Sequence, residues 1–521
     1  MITAPSMTIG QALVAGLKAR GVDVVFGIPG VHTVELYRGL AGSGVRHVTV
    51  RHEQGAAFAA DGYARATGRA GVAFVITGPG LLNALTAMGQ ARADSVPMLV
   101  ISGVNRRDSL GRGLGLLHEV PDQAAIVAPL CPTFQITTPD DLGPVLDAAW
   151  AAMLGARPGP VHIEVPTDVM PLPCAMPAAA LPVTRIVPDG PSVAAARHRL
   201  GLARRPVILA GGGAVRAAAA LRAVAEALDA PVVLTTNARG LMAGHALCVP
   251  ASASLDAVRA LIADADQVLA LGTELGSTDY DMYVRGGMPD LSGMIRVDIC
   301  ADQLARHTAA VTVQGDVAQV LAMLSPDARK ADGAARAATA RMAAWDELPQ
   351  VYRDHIGLLR VMTETMPDAL IVGDSTQLVY AGNLYHDAAF AGAWFNAATG
   401  FGALGYAPGA AVGAAIGSGR RVICIIGDGG LQFSPGELRT SVDEGLPITW
   451  IVWNNAGYGE IASAMRDVGA EVIGCDPSPL KMAPFAAACD LPFISIGPDQ
   501  SALRAALAAP SDGPRMIEIK V

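Results

Sequence analysis

Along the first 170 positions, short runs of β-branched and aliphatic residues alternate with longer stretches in which apolar residues return every three to four places. The runs Val22–Phe26, Val45–Val50, Val72–Ile76, Met98–Ile101 and Val161–Val165 predict strands. The alanine-rich stretches Glu53–Ala66 and Leu82–Ala93 predict helices. Strand and helix in alternation imply a parallel sheet covered on both faces. The pattern breaks over Pro171 to Pro191, where proline and alanine predominate and a linker is expected. It resumes with strands at Val207–Ala210, Val232–Thr235, Gln267–Leu271 and Met294–Val297. A second soft boundary covers Pro326 to about Ala344. Strands at Ala369–Val372, Arg421–Ile426, Ile448–Trp453 and Met516–Ile519 follow. The expected fold is α/β, with three consecutive open parallel-sheet domains over 1-170, 185-328 and 345-521. The first and third segments look like the same kind of unit, and the middle one is a variation on it.

Composition adds limits. With 51% hydrophobic and 16% charged residues, the chain has material for several cores. A formal net charge of -9, with scattered arginines, gives no reason to expect nucleic acid or an anionic membrane as partner. No apolar stretch is long enough to span a bilayer. Seven dispersed cysteines form no C-x-x-C pair, so neither zinc nor a dithiol motif is indicated, and reduced thiols in a cytoplasm are expected. Met1 to Met7 carry no basic region followed by an apolar run, so no signal peptide is expected.

The densest chemical signal lies near the C-terminal end. In Ile423-Cys-Ile-Ile-Gly-Asp-Gly-Gly430, an apolar strand runs into Gly-Asp-Gly. Gly427, Gly429 and Gly430 permit a tight turn and a close approach to a ligand. Asp428 stands at the carboxyl end of a strand, where open α/β sheets bind ligands, and a carboxylate is a hard donor suited to Mg2+. The strand Ile448–Trp453 ends in Asn454-Asn455-Ala456-Gly457-Tyr458-Gly459. The interval between Asp428 and Asn455 leaves room for one helix, Glu437–Glu444, and a return strand. Adjacent strands would then offer an aspartate and an asparagine at one edge, and with the Gly457 carbonyl they could hold Mg2+ against a diphosphate. Gly-Asp-Gly alone is more often simply a turn, and it is the Asn454-Asn455 pair at this distance after an apolar strand that favours the metal reading.

The segment Asp428 to Asn455 resembles the thiamine-diphosphate motif of acetolactate synthases, pyruvate decarboxylases and benzoylformate decarboxylases. The resemblance implies Asp428 and Asn455 as side-chain Mg2+ ligands and Gly457 as a carbonyl ligand, with Tyr458 beside the cofactor. A second set of motifs stands near the N-terminus: Phe26-Gly-Ile-Pro-Gly30, Arg51-His-Glu-Gln-Gly-Ala-Ala57, Ala60-Asp-Gly-Tyr-Ala-Arg65 and Thr77-Gly-Pro-Gly80 with Asn83. Glu53, at a helix start, is ordinarily a cap. Arg-His-Glu-Gln-Gly-Ala-Ala, however, resembles the acetolactate-synthase segment that holds the cofactor's glutamate. That glutamate bonds N1' of the aminopyrimidine and favours the tautomer whose 4'-amino group generates the C2 carbanion. Such a role requires burial and a raised pKa. The resemblance further implies Pro29, Thr77 and Asn83 as cofactor contacts. In Gly400-Phe-Gly-Ala-Leu-Gly-Tyr406 it implies Leu404 as the residue that bends the cofactor and the Gly402 carbonyl as acceptor from the 4'-amino group. Thr376 and Gln377, in Asp374-Ser-Thr-Gln377, sit where the family contacts the diphosphate. The family architecture also implies pyrimidine-binding, central and diphosphate-binding domains in that order. It implies a homodimer or homotetramer too, because Glu53 of one subunit meets the cofactor held by another.

The expected reaction is decarboxylation of a 2-oxo acid through a C2 carbanion and an enamine. The enamine is either protonated or, in the acetolactate synthase-type alternative, ligated to a second carbonyl compound. Gln123, in Leu117-His-Glu-Val-Pro-Asp-Gln123, occupies the position of an active-site glutamine of acetolactate synthases, and His118 and Glu119 are candidate proton donors or substrate contacts. Val249-Pro-Ala-Ser-Ala-Ser254 stands where an FAD segment is expected, a departure that makes FAD doubtful. Gly211-Gly-Gly213 lacks the G-x-G-x-x-G spacing of a dinucleotide loop. In Gly276-Ser-Thr-Asp-Tyr-Asp-Met-Tyr283, Asp279 and Asp281 could pair with a guanidinium. That cluster, with Gly373–Gln377 and Leu117-His-Glu, resembles the 5-guanidino-2-oxopentanoate decarboxylase branch.

Overall fold

The structure is a computed structural model that describes residues 7–176, 179–282, 284–329 and 331–521. Met1 to Ser6, Pro177 and Ala178 of the linker, Tyr283 of the acidic motif and Lys330 lie outside the described residues. Three parallel six-stranded sheets follow one another along the chain. Strands Val24–Gly27, Arg46–Thr49, Gly71–Val75, Met98–Val104, Thr133–Gln135 and Pro160–Pro166 form the first. Counted in chain order, they lie in the sequence 2-1-3-4-6-5. Strands Leu370–Gly373, Trp394–Asn396, Val422–Gly427, Ile448–Asn454, Phe493–Ile496 and Arg515–Lys520 form the last sheet, in the same order 2-1-3-4-6-5. The central sheet, built from Pro206–Ala210, Val232–Leu234, Cys248–Val249, Gln267–Leu271, Ile295–Asp298 and Val311–Gln314, runs 3-2-1-4-5-6.

Each sheet is buried on both faces, which is why its central strands read as continuous apolar runs rather than alternating ones. The first and last sheets share one core, in which Phe26, Phe58 and Tyr63 pack with Phe395, Tyr406 and Trp450. Its centre is the pair of helices Glu53–Thr67 and Tyr406–Ser418. Their small residues bring backbone onto backbone. A Cβ on Gly62 would stand 1.9 Å from the Ala410 carbonyl oxygen, and one on Gly413 would stand 1.8 Å from that of Ala59.

Two boundaries carry structure the sequence pattern did not predict. The linker begins with Pro173–Cys174, which pairs antiparallel with Met7–Thr8. The soft boundary Pro326 to Ala344 contains most of the helix Gly333–Glu347, whose Ala337, Ala340 and Ala344 pack into a core of the central sheet. Alanine serves a helix as readily as a linker, and here the packed face decides. No helix among the described residues is long and apolar enough to cross a membrane.

Candidate active site at two strand edges

At the carboxyl edge of the last sheet, Gly427 pairs in register with Trp453, so Asp428 and Asn455 leave neighbouring strands at the same level. Asp428 is buried, and it has no ion-pair partner among the described residues. Burial raises its pKa, while backbone N–H groups, that of Asn455 among them, lower it. A buried carboxylate without a cation is a site that gains from one. The Asn455 Oδ1 accepts from the Gly457 N–H at 3.3 Å, and the Tyr458 N–H donates to the Cys475 carbonyl at 2.9 Å, which fixes the loop. The glycines are required by contact. A Cβ on Gly429 would meet the Tyr458 ring at 2.6 Å, and one on Gly459 would meet Asn455 Nδ2 at 2.8 Å. A carboxylate, an amide oxygen and a backbone carbonyl are hard donors of the kind Mg2+ takes.

Helices begin at Gln377, Asp428 and Gly459, each following a strand of this edge. The N-terminal end of a helix favours an anion. Thr376 is buried 3.3 Å from the place a Gly427 Cβ would occupy. Gln377 Oε1 accepts from Trp453 Nε1 at 2.9 Å, and its Nε2 donates to Glu460 Oε1 at 2.8 Å.

The corresponding edge of the first sheet gathers the second set. Glu53 opens its helix, and Asn83 Nδ2 donates to Glu53 Oε2 at 2.9 Å. Thr77 is fully buried, and its hydroxyl has no hydrogen-bond partner among the described residues. Pro29 is exposed, and Gly30 and Gly80 both abut Ile76. His118 is half-buried at positive φ, and its ring lies edge-on to that of His32, with centroids 5.3 Å apart. Its carbonyl oxygen would stand 2.4 Å from a Gly78 Cβ, so the histidine pair borders the Thr77–Gly80 turn. Glu119 closes its own loop by accepting from the N–H groups of Leu114 and Leu116.

Gly402 and Leu404 lie on the loop between the strand Trp394–Asn396 and the helix Tyr406–Ser418. Gly402 is exposed at φ +75°, with open space around it, and Leu404 is half-buried. The ends of the loop are held. Ser434 Oγ donates to the Gly405 carbonyl at 2.6 Å, and the buried Asp374 accepts from the Ala407 and Gly405 N–H groups at 3.0 and 3.3 Å. Burial pushes the Asp374 pKa up to about 6.

Two sequence expectations change. Gln123 is buried with both ends of its amide engaged. Its Oε1 accepts from the Gly78 N–H at 2.8 Å, while its Nε2 lies within 3.0 Å of Ser102 Oγ, the Gly103 carbonyl and Glu164 Oε2. It braces the Thr77–Gly80 turn instead of presenting its amide to a ligand. Asp279 and Asp281 are likewise committed within the central domain. Asp279 accepts from the Thr236 N–H at 2.8 Å, and Asp281 pairs with Arg259 at 2.7 Å while capping the Arg285 and Gly286 N–H groups. An internal arginine already occupies Asp281, so this pair is not a free receptor for a substrate guanidinium. Gly211 and Gly213 interlock with Gly272, whose carbonyl accepts from the Gly213 N–H at 3.0 Å.

Sequence reasoning missed His32 and Glu460. Both had a signal: His32 stands in a glycine-marked turn past a strand end, and Glu460 lies in the first turn of the helix after the glycine-marked loop that follows Asn454. A separate surface groove of about 530 Å3, lined by Arg353, Arg360 and Arg504 among others, includes none of the residues named above.

Three open parallel sheets, with ligand-ready edges on the first and last, define a cofactor-dependent α/β enzyme. The match to known families is specific. Residues 7–126, 193–324 and 374–519 match, respectively, the N-terminal TPP binding domain, the central domain and the C-terminal TPP binding domain of thiamine pyrophosphate enzymes. The chain belongs to the thiamine pyrophosphate enzyme family. It is 42% identical over 492 residues, 91% of this chain and 86% of the relative, to the probable 2-ketoarginine decarboxylase AruI of Pseudomonas aeruginosa. It is 33% identical over 488 residues to the acetolactate synthase large subunit of Corynebacterium glutamicum, covering 87% of this chain and 76% of that one. With the large subunit of acetolactate synthase isozyme 1 from Escherichia coli it shares 29% identity over 477 residues, 88% and 83% of the two chains.

Proposed function

We propose that the chain is a thiamine-diphosphate- and Mg2+-dependent decarboxylase of a 2-oxo acid, with 5-guanidino-2-oxopentanoate (2-ketoarginine) as substrate. The observation that carries the cofactor reading is the paired edge, where buried Asp428 and half-buried Asn455 follow adjacent strands that pair in register through Gly427 and Trp453. The relative at 42% identity supports the substrate. Asp428, Asn455 and the Gly457 carbonyl would hold Mg2+, and the N–H groups at Gln377 and Gly429 would meet the diphosphate. Thiamine diphosphate, when bound, supplies the electron sink for loss of CO2.

The chain's own residues do the rest. Glu53 would bond the aminopyrimidine through its carboxyl group, which Asn83 Nδ2 orients by donating to Oε2. The Gly402 carbonyl would accept from the amino group. Leu404, half-buried on the same loop, would pack against the cofactor, and His118, which borders the Thr77–Gly80 turn, would serve as a proton donor. Asp279 and Asp281 are not proposed as guanidinium contacts. Glu460 takes that place, since its described hydrogen bond is to the neutral Gln377 amide. Exposed apolar side chains flank both edges, with Val31, Val34 and Leu82 beside the first and Phe401 and Phe433 beside the last. They support a homodimer in which Glu53 serves the partner's cofactor. The acetolactate synthase relatives support a second reading, ligation to a carbonyl acceptor instead of protonation.

The test is release of CO2, aldehyde and acetolactate from pyruvate and from 5-guanidino-2-oxopentanoate, for the parent and for Glu53→Gln. The variant should bind the cofactor yet lose roughly 10²- to 10⁴-fold in turnover. Unchanged turnover would remove Glu53 from the mechanism. Absence of CO2 from both acids would remove the substrate assignment.

A further inference from the structure

One buried carboxylate joins all three domains. Asp94 ends the helix Pro79–Ala93, and its side chain is 4% exposed. Four donors converge on it. Arg65 Nη2 and Gln90 Nε2 reach Oδ2, each at 2.6 Å. Thr399 Oγ1 at 2.8 Å and Asn237 Nδ2 at 3.2 Å reach Oδ1. Arg65 and Gln90 belong to the first sheet's domain, Asn237 to the central domain and Thr399 to the last. The cluster continues in both directions. Arg65 also pairs with Asp61 at 2.6 Å, and the Tyr406 hydroxyl donates to the same Asp61 oxygen at 2.6 Å. Gln90 Oε1 accepts from the Ala403 N–H at 3.2 Å.

Thr399 and Ala403 on one loop, and Tyr406 at the start of the helix that follows it, are therefore each tied to the N-terminal domain of the same chain. Phe401 closes over Gly89 between them. Gly402 and Leu404, the ones read above as facing the cofactor, are among the residues left free of these ties.

We propose that Asp94, with Arg65 as its counter-charge, is the positioning residue of the loop Thr399–Gly405. Each chain's N-terminal domain thus sets the shape of the loop that its own C-terminal domain presents to the cofactor, and Asn237 extends the same tie to the central domain. The link to the cofactor rests on the reading of Gly402 and Leu404 under the proposed function, whereas the anchoring itself does not. A charged acceptor holds its donors more firmly than a neutral one, and a half-satisfied buried network loses more than one bond's worth of order.

The experiment uses the full chain with Thr399→Val, Thr399→Ser and Asp94→Asn. Hydrogen exchange of residues 399–405 is followed with and without thiamine diphosphate and Mg2+, together with cofactor affinity, kcat and KM. Thr399→Val removes the hydroxyl at nearly constant shape, and should speed exchange of the loop roughly tenfold, while Thr399→Ser keeps it near the parent rate. Asp94→Asn should act more strongly and lower kcat about tenfold, with KM for the oxo acid little changed. Equal exchange in Thr399→Val and Thr399→Ser, or parent-like exchange in Asp94→Asn, overturns the anchoring. Faster exchange with unchanged cofactor affinity and kcat upholds it and instead removes Gly402 and Leu404 from the cofactor reading. If Asp94→Asn does not fold, the Thr399 pair decides alone.

Discussion

Substitution of Gly62 by alanine tests whether the contact between the Glu53 and Tyr406 helices sets both stability and activity. In an isolated helix the change is favourable by up to about 1 kcal/mol, because alanine costs less backbone entropy than glycine. Here the added Cβ would stand 1.9 Å from the Ala410 carbonyl oxygen and 2.6 Å from its carbon. An ordinary contact needs roughly 3.2 Å, so the helices must separate by about 1.3 Å, and backbone cannot turn aside as a side chain can. Overpacking of this kind costs about 1–3 kcal/mol. The net expectation is a loss of about 1–2 kcal/mol, read as an earlier first transition in urea. Turnover should fall at least about tenfold, because the displaced helix begins at Glu53 and angstrom-scale misplacement of a reacting group is costly. Gly143→Ala is the control. Gly143 also lies in a helix, but nothing stands within 4 Å of its Cβ position. That variant should be a few tenths of a kcal/mol more stable and fully active. If Gly62→Ala behaves like Gly143→Ala, the tight helix contact is not what holds the outer domains together.

Two further outcomes are expected. Asp428→Ala should leave the apo protein at least as stable as the parent, since it removes a buried carboxylate that has no described counter-ion. It should also abolish the stabilisation by thiamine diphosphate and Mg2+, about 2.7 kcal/mol at a hundredfold excess over Kd; a parent-like thermal shift would contradict the proposed site. Asp374 has its pKa raised by burial from 3.8 to about 6. Its protonated form therefore favours the fold, so this contribution is complete below about pH 4 and is lost as pH rises through 6, in total roughly 3 kcal/mol. Asp374→Asn should lack this fall, and urea midpoints for both proteins between pH 4 and 7 will read the difference; parallel curves would refute it.

Much of the fold was legible because parallel strands buried on both faces print themselves as apolar runs. Gln267–Leu271 matches its expected limits, and Ile448–Asn454 extends the expected strand by one residue. The strands that escaped notice, such as Cys248–Val249, Trp394–Asn396 and Phe493–Ile496, are two to four residues long, too short to show a period. The candidate site was legible where backbone demands glycine beside a strand end, as at Gly427–Gly430. It was not legible where partner choice decides. Nothing local to Asp281 announces that Arg259 will occupy it, or that Gln123 will turn inward to Glu164. Such pairings depend on residues 20 or more positions away, and only the packed structure reveals them.

The matching strand orders of the first and last sheets, and their shared core, give the chain two like-built halves packed on each other. The helices Glu53–Thr67 and Tyr406–Ser418 each follow the second strand of their sheet, and along their contact Gly55 meets Gly409, Ala59 meets Gly413 and Gly62 meets Ala410. Corresponding helices of the two halves thus touch one another, as across an approximate two-fold axis. A true dyad would make both edges alike and could serve only a symmetrical ligand. Fusing the two copies into one chain frees them to diverge, so that one edge could specialise for an aromatic base and the other for phosphate and metal. The seam between the copies then has no partner to lose by dilution, and asymmetry can accumulate on either side of it without dissolving the pair.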